Sequence, residues 1–378
     1  MADKSKMLGL YIHIPFCKRK CFYCDFCSVA GENEALVKGY VRELKRCLCD
    51  YAKKADGHLV DTIYIGGGTP TVLPVALLGE ILEACFSEYS VLPDAEISVE
   101  ANPGTVTAEY LSELRTLGVN RLSIGLQSMQ NNELSALGRI HDRDTFLSTF
   151  YSAREAGFDN ISVDLMYGIP EQTKESFLDT LRRTVELSPE HISAYCLKVE
   201  EGTPFGKMGD ALILPDDDTV SDMYELCAAT LASAGYERYE ISNFSRPGKH
   251  SRHNMRYWLG SEYLGIGAAA HSYFGGERFA FSPDITAFAN GEFLITEREK
   301  IEGREEMQEH VMLRMRTAGG IDAVEFESAF GSTLEAEFPE IKRFIDSGHV
   351  IFDGKSYRFP DEGFFVSSYI LSEILDFS

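Results

Sequence analysis

The sequence predicts an α/β protein in which parallel strands alternate with amphipathic helices. Six short apolar runs lie before residue 200 and are separated by helical stretches of about 10 to 20 residues. Polar residues or glycines follow successive strands, at Cys17, residues 66–69, Glu100, Gln127 and Asp164. Because parallel strands present their carboxyl ends at one edge, these positions predict a shared site. Periodicity alone leaves an open sheet and a barrel as alternatives.

The elements follow one another in a regular order. The predicted strands are GLYIHI, DTIYIGGG, AEISVEANP, RLSIGLQS, NISVDLMYGIP and HISAYCL. The predicted helices span about residues 33–54, 74–89, 108–117, 143–156, 174–187 and 219–234. From about residue 301 the pattern indicates helices and a short hairpin, HVIFDGKSYRF, with Asp353 and Gly354 as turn residues. We therefore expect three parts: a barrel or sheet over residues 1–215, an extension over 216–300, and a winged-helix-like domain over 301–378.

Three cysteines with the spacing CxxxCxxC, Cys17, Cys21 and Cys24, come directly after the first predicted strand. Thiolates are the usual ligands of iron-sulfur clusters, and three of them leave one iron of a cubane open to another ligand. The alternative is a zinc site with Cys27 as the fourth thiolate, although zinc sites usually place their ligands in separated pairs. The chain has 9 cysteines, an odd number, which favours free thiols in a reducing compartment over disulfides.

Composition limits the classes of partner. The formal net charge is −23, so the average field repels a phosphate backbone, and nucleic acid is not an expected partner. No run of the roughly 18 to 20 apolar residues that a membrane helix needs is present, and no secretory leader is recognised. We therefore expect a cytoplasmic protein, large enough at 378 residues for one main domain and a smaller one.

Six segments together resemble the HemN/HemW branch of the radical S-adenosylmethionine proteins: YIHIPFCKRKCFYCDF, IGGGTPT, VEANPGT, LSIGLQS, DLMYGIP and HNMRYW. They occur in consistent order along essentially the entire chain. The resemblance implies a partial (β/α)6 TIM-like barrel with a small C-terminal helical, winged-helix-like domain. It also implies a 4Fe-4S cluster on Cys17, Cys21 and Cys24, with S-adenosylmethionine at the strand ends.

The same resemblance implies a set of cofactor residues. They are Tyr11, Gly67, Gly68, Thr69, Glu100, Gln127, Arg139 and Asp164. Glycines let the backbone approach a ligand closely, arginine suits a carboxylate, and carboxylates or glutamine suit an amino group and ribose hydroxyls. Without the resemblance, the sequence is equally consistent with Tyr11 as an aromatic residue of the core. It then favours Arg139 as a cation on the surface of a helix.

The branch contains heme chaperones and oxygen-independent coproporphyrinogen dehydrogenases, and the sequence favours the chaperones. The dehydrogenase pattern has a further cysteine two residues after the third ligand, where this chain has Phe26. The segment HNMRYW matches the chaperone pattern HNxxYW and makes His253 the candidate heme ligand, with His250 and His271 as alternatives. The expected partners are heme and an acceptor hemoprotein, such as a membrane respiratory enzyme. A homodimer is left open.

Overall fold

The structure is a computed structural model and describes residues 7–31 and 33–375. The strands are β1 (Met7–Ile14), β2 (Phe16–Cys17), β3 (Val29–Ala30), β4 (Leu59–Gly67), β5 (Ser90–Ala101), β6 (Arg121–Gln127), β7 (Ile161–Tyr167), β8 (His191–Cys196), β9 (Glu237–Arg238), β10 (Asn243–Ser245), β11 (Tyr263–Ile266), β12 (His271–Phe274), β13 (Glu277–Phe281), β14 (Ile295–Lys300), β15 (Ile321–Asp322), β16 (Ile351–Phe352) and β17 (Ser356–Arg358).

The helices alternate with these strands in the first half of the chain and dominate the last part. They are α1 (Glu34–Ala52), α2 (Val75–Glu88), α3 (Ala108–Thr116), α4 (Asn131–Ala136), α5 (Arg143–Glu155), α6 (Lys174–Glu186), α7 (Pro204–Met208), α8 (Asp217–Ser233), α9 (Arg252–Trp258), α10 (Ile285–Ala289), α11 (Gly303–Arg314), α12 (Ala323–Phe330), α13 (Leu334–Glu337), α14 (Ile341–Asp346) and α15 (Ser367–Ile374).

Twelve strands form one open, curved sheet in the order β14-β13-β12-β11-β1-β4-β5-β6-β7-β8-β10-β9. Strands β1, β4, β5, β6, β7 and β8 are parallel neighbours, which confirms the six predicted strands. β11 adds a seventh parallel strand beside β1. The outer strands on both sides pair antiparallel. The six parallel βα units make up the predicted partial barrel, and the sheet ends in free edges at β14 and β9.

The starts of several helices are set by capping residues that can be recognised in the sequence. Side-chain oxygens of Thr107, Asp142, Thr173 and Asp216 accept the backbone N–H three residues further on, at the starts of α3, α5, α6 and α8. These caps lie immediately before the amphipathic runs, so the six predicted helices begin and end within about two residues of the observed ones.

Strand β6 shows how the barrel wall separates core from cavity. All seven of its residues are buried. Leu122, Ile124 and Leu126 pack into the hydrophobic core under the helices. The alternate residues, Arg121, Ser123, Gly125 and Gln127, line the inside of the barrel. The side chains that β6 points into the barrel are therefore polar from its first residue, Arg121, to its last, Gln127, apart from Gly125.

The segment 216–300 is continuous with the barrel. Its strands β9 and β10 extend the sheet beyond β8, and β11 to β14 extend it beyond β1. The boundary predicted at residue 215 therefore does not coincide with a break in the sheet. Residues 301–375 carry helices α11 to α15 and a small sheet in the order β15-β17-β16, which fits the predicted winged-helix-like domain. In its hairpin, Asp353 accepts the N–H groups of Lys355 and Ser356 at 2.9 Å.

Helix α9, which carries the whole HNMRYW segment, closes the amino-end opening of the barrel. The Glu96 carboxylate accepts the backbone N–H groups of Arg252 and His253 at 3.1 Å. The buried Arg256 pairs with Asp61 and donates from Nε to the Thr62 hydroxyl at 3.2 Å. The helix thus forms a floor for the barrel. None of the helices in the described ranges is long and apolar enough to cross a membrane.

Candidate functional site

A cavity of about 260 Å³ runs down the inside of the barrel from the carboxyl ends of the strands. The three predicted cluster cysteines line its mouth, together with seven of the eight predicted cofactor residues. The seven are Gly67, Gly68, Thr69, Glu100, Gln127, Arg139 and Asp164. Tyr11 lies outside this lining. The strand-end positions named from the sequence therefore line one cavity, although they are up to 147 positions apart in sequence (Cys17 to Asp164).

The cysteine loop is held against the mouth of the cavity. Strands β2 and β3 pair in parallel, with Cys17 opposite Ala30, and so close the loop at its base. Cys17, Cys21 and Cys24 are free and half-buried. The Cys21 Sγ accepts a hydrogen bond from Arg139 Nη1 at 3.5 Å, and the Cys17 Sγ accepts one from Thr69 Oγ1 at 3.6 Å. Such donors suit sulfurs that carry the negative charge of a cluster.

The zinc alternative is disfavoured by the position of Cys27. Its Sγ donates to the Pro283 carbonyl at 3.4 Å, outside the cavity lining. Within the described ranges, no three histidine, cysteine, aspartate or glutamate side chains converge as a single metal ion requires. A zinc ion would need thiolates about 2.3 Å from one centre, whereas a cubane distributes three thiolates over different irons. The residues fit a cluster with three protein ligands.

Residues 66–68 form a strip of bare backbone beside the cysteine loop. Gly67 has φ +112°, and a Cβ there would lie 2.5 Å from the His13 ring. A Cβ at Gly68 would lie 2.8 Å from the Phe16 carbonyl oxygen. The Gly67 N–H donates to Glu100 Oε2 at 3.1 Å. The glycines are thus required by the packing beneath them, and they also leave the cavity side open for a ligand.

Asn102 links two of the predicted residues and was missed in the sequence. Its amide donates to Thr69 Oγ1 at 2.7 Å and accepts from Arg139 Nη2 at 2.5 Å. Arg139 Nη2 also donates to the Gly125 carbonyl at 2.7 Å, so the guanidinium is fixed above the strand ends. The sequence contained the information needed to predict it. Asn102 lies two positions after Glu100, and residues two positions apart in an extended chain face the same side.

Gln127 is held in a rare backbone conformation at the end of β6. Its φ is +72°, in the left-handed region, and the register with β7 shifts at this point. The Tyr195 hydroxyl donates to Gln127 Oε1 at 3.1 Å. A non-glycine residue in this region costs about 1–3 kcal/mol, and such strain is typical of ligand-binding positions.

Two carboxyl groups face the middle of the cavity. Burial raises the pKa of Glu100 to about 7, against the opposing effect of a hydrogen bond from Tyr64. Burial raises the pKa of Asp164 to about 6, against a hydrogen bond from Ser123 at 3.0 Å. Near neutral pH each carboxyl can therefore accept or donate hydrogen bonds, which suits an amino group or ribose hydroxyls.

Tyr11 and His253 lie deeper, between the cavity and the floor. The Tyr11 ring stacks on that of Tyr64, with centroids 6.3 Å apart, and its hydroxyl lies 2.9 Å from His13 Nδ1. His253 is fully buried, with Nδ1 2.9 Å from Thr62 Oγ1 and Nε2 2.9 Å from the Tyr257 hydroxyl. Burial lowers the pKa of His253 to about 3, so the ring is neutral.

The predicted heme ligand consequently has no free nitrogen in this conformation. A neutral imidazole has one donor and one acceptor, and His253 uses both inside the floor. Of the two alternatives, His250 stacks on Tyr239 with centroids 4.3 Å apart, and its buried Nε2 has no partner. His271 is exposed at the start of β12 and forms no side-chain hydrogen bond with the described residues.

Comparisons with known proteins agree with this architecture. Residues 11–184 match the radical SAM superfamily, and residues 301–366 match the HemN C-terminal domain. The chain is 37% identical over 352 residues to "Heme chaperone HemW" of Escherichia coli strain K12, with 92% of each chain covered. It is 34% identical over 357 residues to "Heme chaperone HemW" of Bacillus subtilis, with 93% of this chain and 94% of the relative covered.

A solved structure resembles almost the entire chain. Coproporphyrinogen III oxidase (HemN) from Escherichia coli, described as a radical SAM enzyme, superposes with a TM-score of 0.86. The two sequences are 24% identical, with 98% of this chain and 90% of the other covered, which shows the shared fold. The two relatives described above, which share more than a third of their residues with this chain over nearly its whole length, are both named heme chaperones. By that similarity and by its fold, the chain belongs to the HemW family of heme chaperones, within the radical SAM superfamily.

Proposed function

We propose that this protein binds heme and delivers it to an acceptor hemoprotein, and that its barrel holds a 4Fe-4S cluster and S-adenosylmethionine. The observation that carries the proposal is the full-length similarity to named heme chaperones in a chain that places three free cysteines over a polar cavity. The names of the relatives support heme binding and heme delivery. The residues that line the cavity support the binding of the cluster and of S-adenosylmethionine.

The cluster is proposed to bind Cys17, Cys21 and Cys24. Their free thiols, the hydrogen bonds from Thr69 and Arg139 to two of the sulfurs, and the outward orientation of Cys27 support this assignment. When bound, such a cluster supplies an open iron site and an electron donor. The protein's own part is to hold the thiolates at the cavity mouth and to stabilise their charge.

S-adenosylmethionine is proposed to occupy the cavity below the cysteine loop. The bare backbone of Gly67 and Gly68 offers close approach to the ligand. Arg139 supplies a planar donor for a carboxylate, with an Nε that has no partner in the protein. Glu100, Gln127 and Asp164 supply the remaining acceptors and donors, and Tyr11 supports them through its stacking on Tyr64.

The heme iron is proposed to bind a histidine outside the barrel floor. Of the three candidates, His271 is the exposed one, and no described residue occupies its ring nitrogens. His253 would first have to give up Thr62 or Tyr257. Single variants decide between them: heme titrated into His271→Ala, His250→Ala and His253→Ala should show a changed absorption spectrum in His271→Ala alone, because an axial imidazole sets the ligand field.

The acceptor is proposed to be a membrane respiratory hemoprotein, served by a cytoplasmic chaperone. The net charge of −23 supports a protein partner over nucleic acid. Phe22 and Phe26 on the cysteine loop are 40% and 68% exposed, and these apolar side chains support a contact surface for the acceptor or for a second copy in a homodimer.

The experiment that tests the function compares two activities of the anaerobically reconstituted full chain. Heme-loaded protein is mixed with the heme-free form of a respiratory cytochrome, and transfer is followed by the acceptor's absorption spectrum. In parallel, coproporphyrinogen is supplied with reductant and S-adenosylmethionine, and porphyrins are separated by chromatography. We expect transfer without decarboxylation, since Phe26 stands where the dehydrogenase pattern has cysteine. Decarboxylated product without heme transfer would show that the protein is a coproporphyrinogen dehydrogenase and not a heme chaperone.

A further inference from the structure

One cation inside the barrel is not used by the proposed cofactor site. Arg121, the first residue of β6, is 2% exposed and lines the cavity. Within residues 7–31 and 33–375, its guanidinium forms no hydrogen bond and no ion pair, and its buried Nε has no partner. A buried, unpaired charge is costly, because removing an ion from water must be compensated by a partner.

Arg121 lies one inward-facing position below Ser123, the residue that pairs with Glu100 and donates to Asp164, and is therefore deeper in the barrel than these two proposed cofactor residues. Gln127 ends the same strand, six positions further on, which is about 20 Å of extended chain. Arg121 therefore starts from the amino-end half of the barrel, near the floor formed by α9. Asn254 of that helix also lines the cavity. Unused polar atoms lie nearby as well: Ser98 Oγ, directly across the strand pair from Arg121, is buried without a partner.

The acidic groups in the barrel do not contact the Arg121 guanidinium directly. Its charge acts on Glu100 and Asp164 and tends to lower their pKa values, but burial outweighs that effect and raises both. The Glu100 carboxylate accepts from Tyr64 and Gly67, and the Asp164 carboxylate accepts from Ser123 and Ser162. Among the described residues, neither accepts from Arg121. Arg121 thus shares the cavity with two carboxyl groups but forms no direct pair with either of them among the described residues.

We propose that Arg121 forms a second ligand position at the base of the cavity and that it binds the carboxylate of a small organic acid. A carboxylate matches the planar fork of a guanidinium with two parallel hydrogen bonds. A phosphate dianion fits less well, because it would bring a second negative charge close to Glu100 and Asp164. Asn243 also lines the cavity, and its buried Oδ1 is free to accept from a hydroxyl or amine on the same ligand.

The size of the cavity sets an upper limit on this ligand. Its volume of about 260 Å³ lies just below the range of about 300–1,000 Å³ that is typical for drug-sized ligands. A tetrapyrrole is therefore too large for the base of the barrel. The second position is distinct from the heme site and does not depend on the proposed chaperone function.

The test uses propionate as the probe and propionamide as its uncharged isostere. The full-length reconstituted protein is titrated with each at constant ionic strength, and the calorimetric midpoint of thermal unfolding is recorded. Propionate should raise the midpoint in a saturable way, because a ligand that binds only the folded state stabilises it, and propionamide should not. In Arg121→Gln the apparent affinity for propionate should fall about tenfold or more, as for a lost charged hydrogen bond.

Two matched variants control for charge and for general effects. Arg121→Lys keeps the charge and should retain part of the propionate response. Arg183→Gln removes a cation from the surface of α6, where it pairs with Asp179, and should respond as the unmodified protein does. A propionate response that is equal in Arg121→Gln and in the unmodified protein, or one that propionamide reproduces, overturns the proposal.

A second measurement covers the case in which Arg121→Gln does not fold. Nitrogen-15 spectra of the arginine Nε–H groups in the unmodified protein should contain one signal that shifts saturably with propionate and stays unchanged with propionamide. The signal of a surface arginine should shift equally little with both. Absence of any propionate-specific shift would show that Arg121 is a structural cation.

Discussion

His253 Nε2 lies 2.9 Å from the hydroxyl of Tyr257, one turn further along α9. Together with Thr62, this pair holds the HNMRYW segment, which contains the predicted heme ligand, in the barrel floor. His253, Arg256 and Tyr257 of HNMRYW form hydrogen bonds with one another or with residues of β4, whereas Asn254 lines the cavity.

The first prediction follows from that arrangement. His253→Ala should lower the free energy of unfolding by about 2–4 kcal/mol, because it leaves the buried Tyr257 hydroxyl without its partner, removes one of the two hydrogen bonds of the Thr62 hydroxyl and leaves a small cavity. Urea unfolding measures this. Tyr257→Phe, which removes only one hydroxyl, should cost about 1–2 kcal/mol. Heme uptake should persist in both variants. Loss of uptake in a folded His253→Ala protein would mean that the floor opens and that His253 binds the iron.

The second prediction concerns the cysteine loop. Replacement of Cys17, Cys21 and Cys24 together by serine should abolish the cluster, since a hydroxyl is a poor substitute for a soft thiolate. Cys27→Ser is the matched control, because its sulfur contacts the Pro283 carbonyl, and it should keep its iron and sulfide. Chemical analysis of iron and acid-labile sulfide gives the answer. Iron loss in Cys27→Ser would reinstate a four-thiolate site.

The third prediction concerns Arg139. Arg139→Gln should weaken binding of S-adenosylmethionine by about 1.5–3 kcal/mol, the usual effect of losing a charged hydrogen bond. Calorimetric titration of the reconstituted protein measures the affinity. Because Arg139 also donates to Cys21, the iron content of the variant has to be measured alongside. Unchanged affinity at full iron content would show that Arg139 serves only the cluster loop.

The fourth prediction is a pH dependence set by Glu100. Burial raises the pKa of this carboxyl to about 7, so the folded protein keeps it protonated where the unfolded chain does not. Its stabilising contribution is full below about pH 4.5 and disappears as the pH rises through about 7, a change of about 3 kcal/mol. Glu100→Gln should remove that part of the slope. Urea unfolding at several pH values, compared between the two proteins, measures it, and parallel curves would contradict the raised pKa.

The sequence predicted the barrel and its helices well because their signals are local. Capping residues such as Asp142 and Thr173 lie directly before amphipathic runs, and the six parallel strands are apolar and long enough to recognise. Cys17, Glu100, Gln127 and Asp164 line one cavity because the strand ends converge at one edge, whereas Arg139 was named only by the family resemblance. Asn102 was missed although its position two residues after Glu100 carries the same information.

The remaining features depend on contacts between distant residues. Strands β9 and β10 have two and three residues, too few to show a pattern, so the continuity of the sheet beyond residue 215 was not visible. The burial of His253 depends on Thr62, which is 191 positions away. Arg121 was not singled out from the sequence, since nothing local indicates that its side chain turns into the barrel.

The floor helix also ends in the chain's only tryptophan, Trp258. It lines a small cavity together with His310 and Phe330, where the floor meets the C-terminal domain. The tryptophan fluorescence of the protein, excited selectively over its 18 tyrosines, therefore originates at this one contact between α9 and the C-terminal domain. Movement of the C-terminal domain away from α9 would shift the emission without any added label. Because heme absorbs where tryptophan emits, quenching during a heme titration would report how close the bound heme lies to that contact.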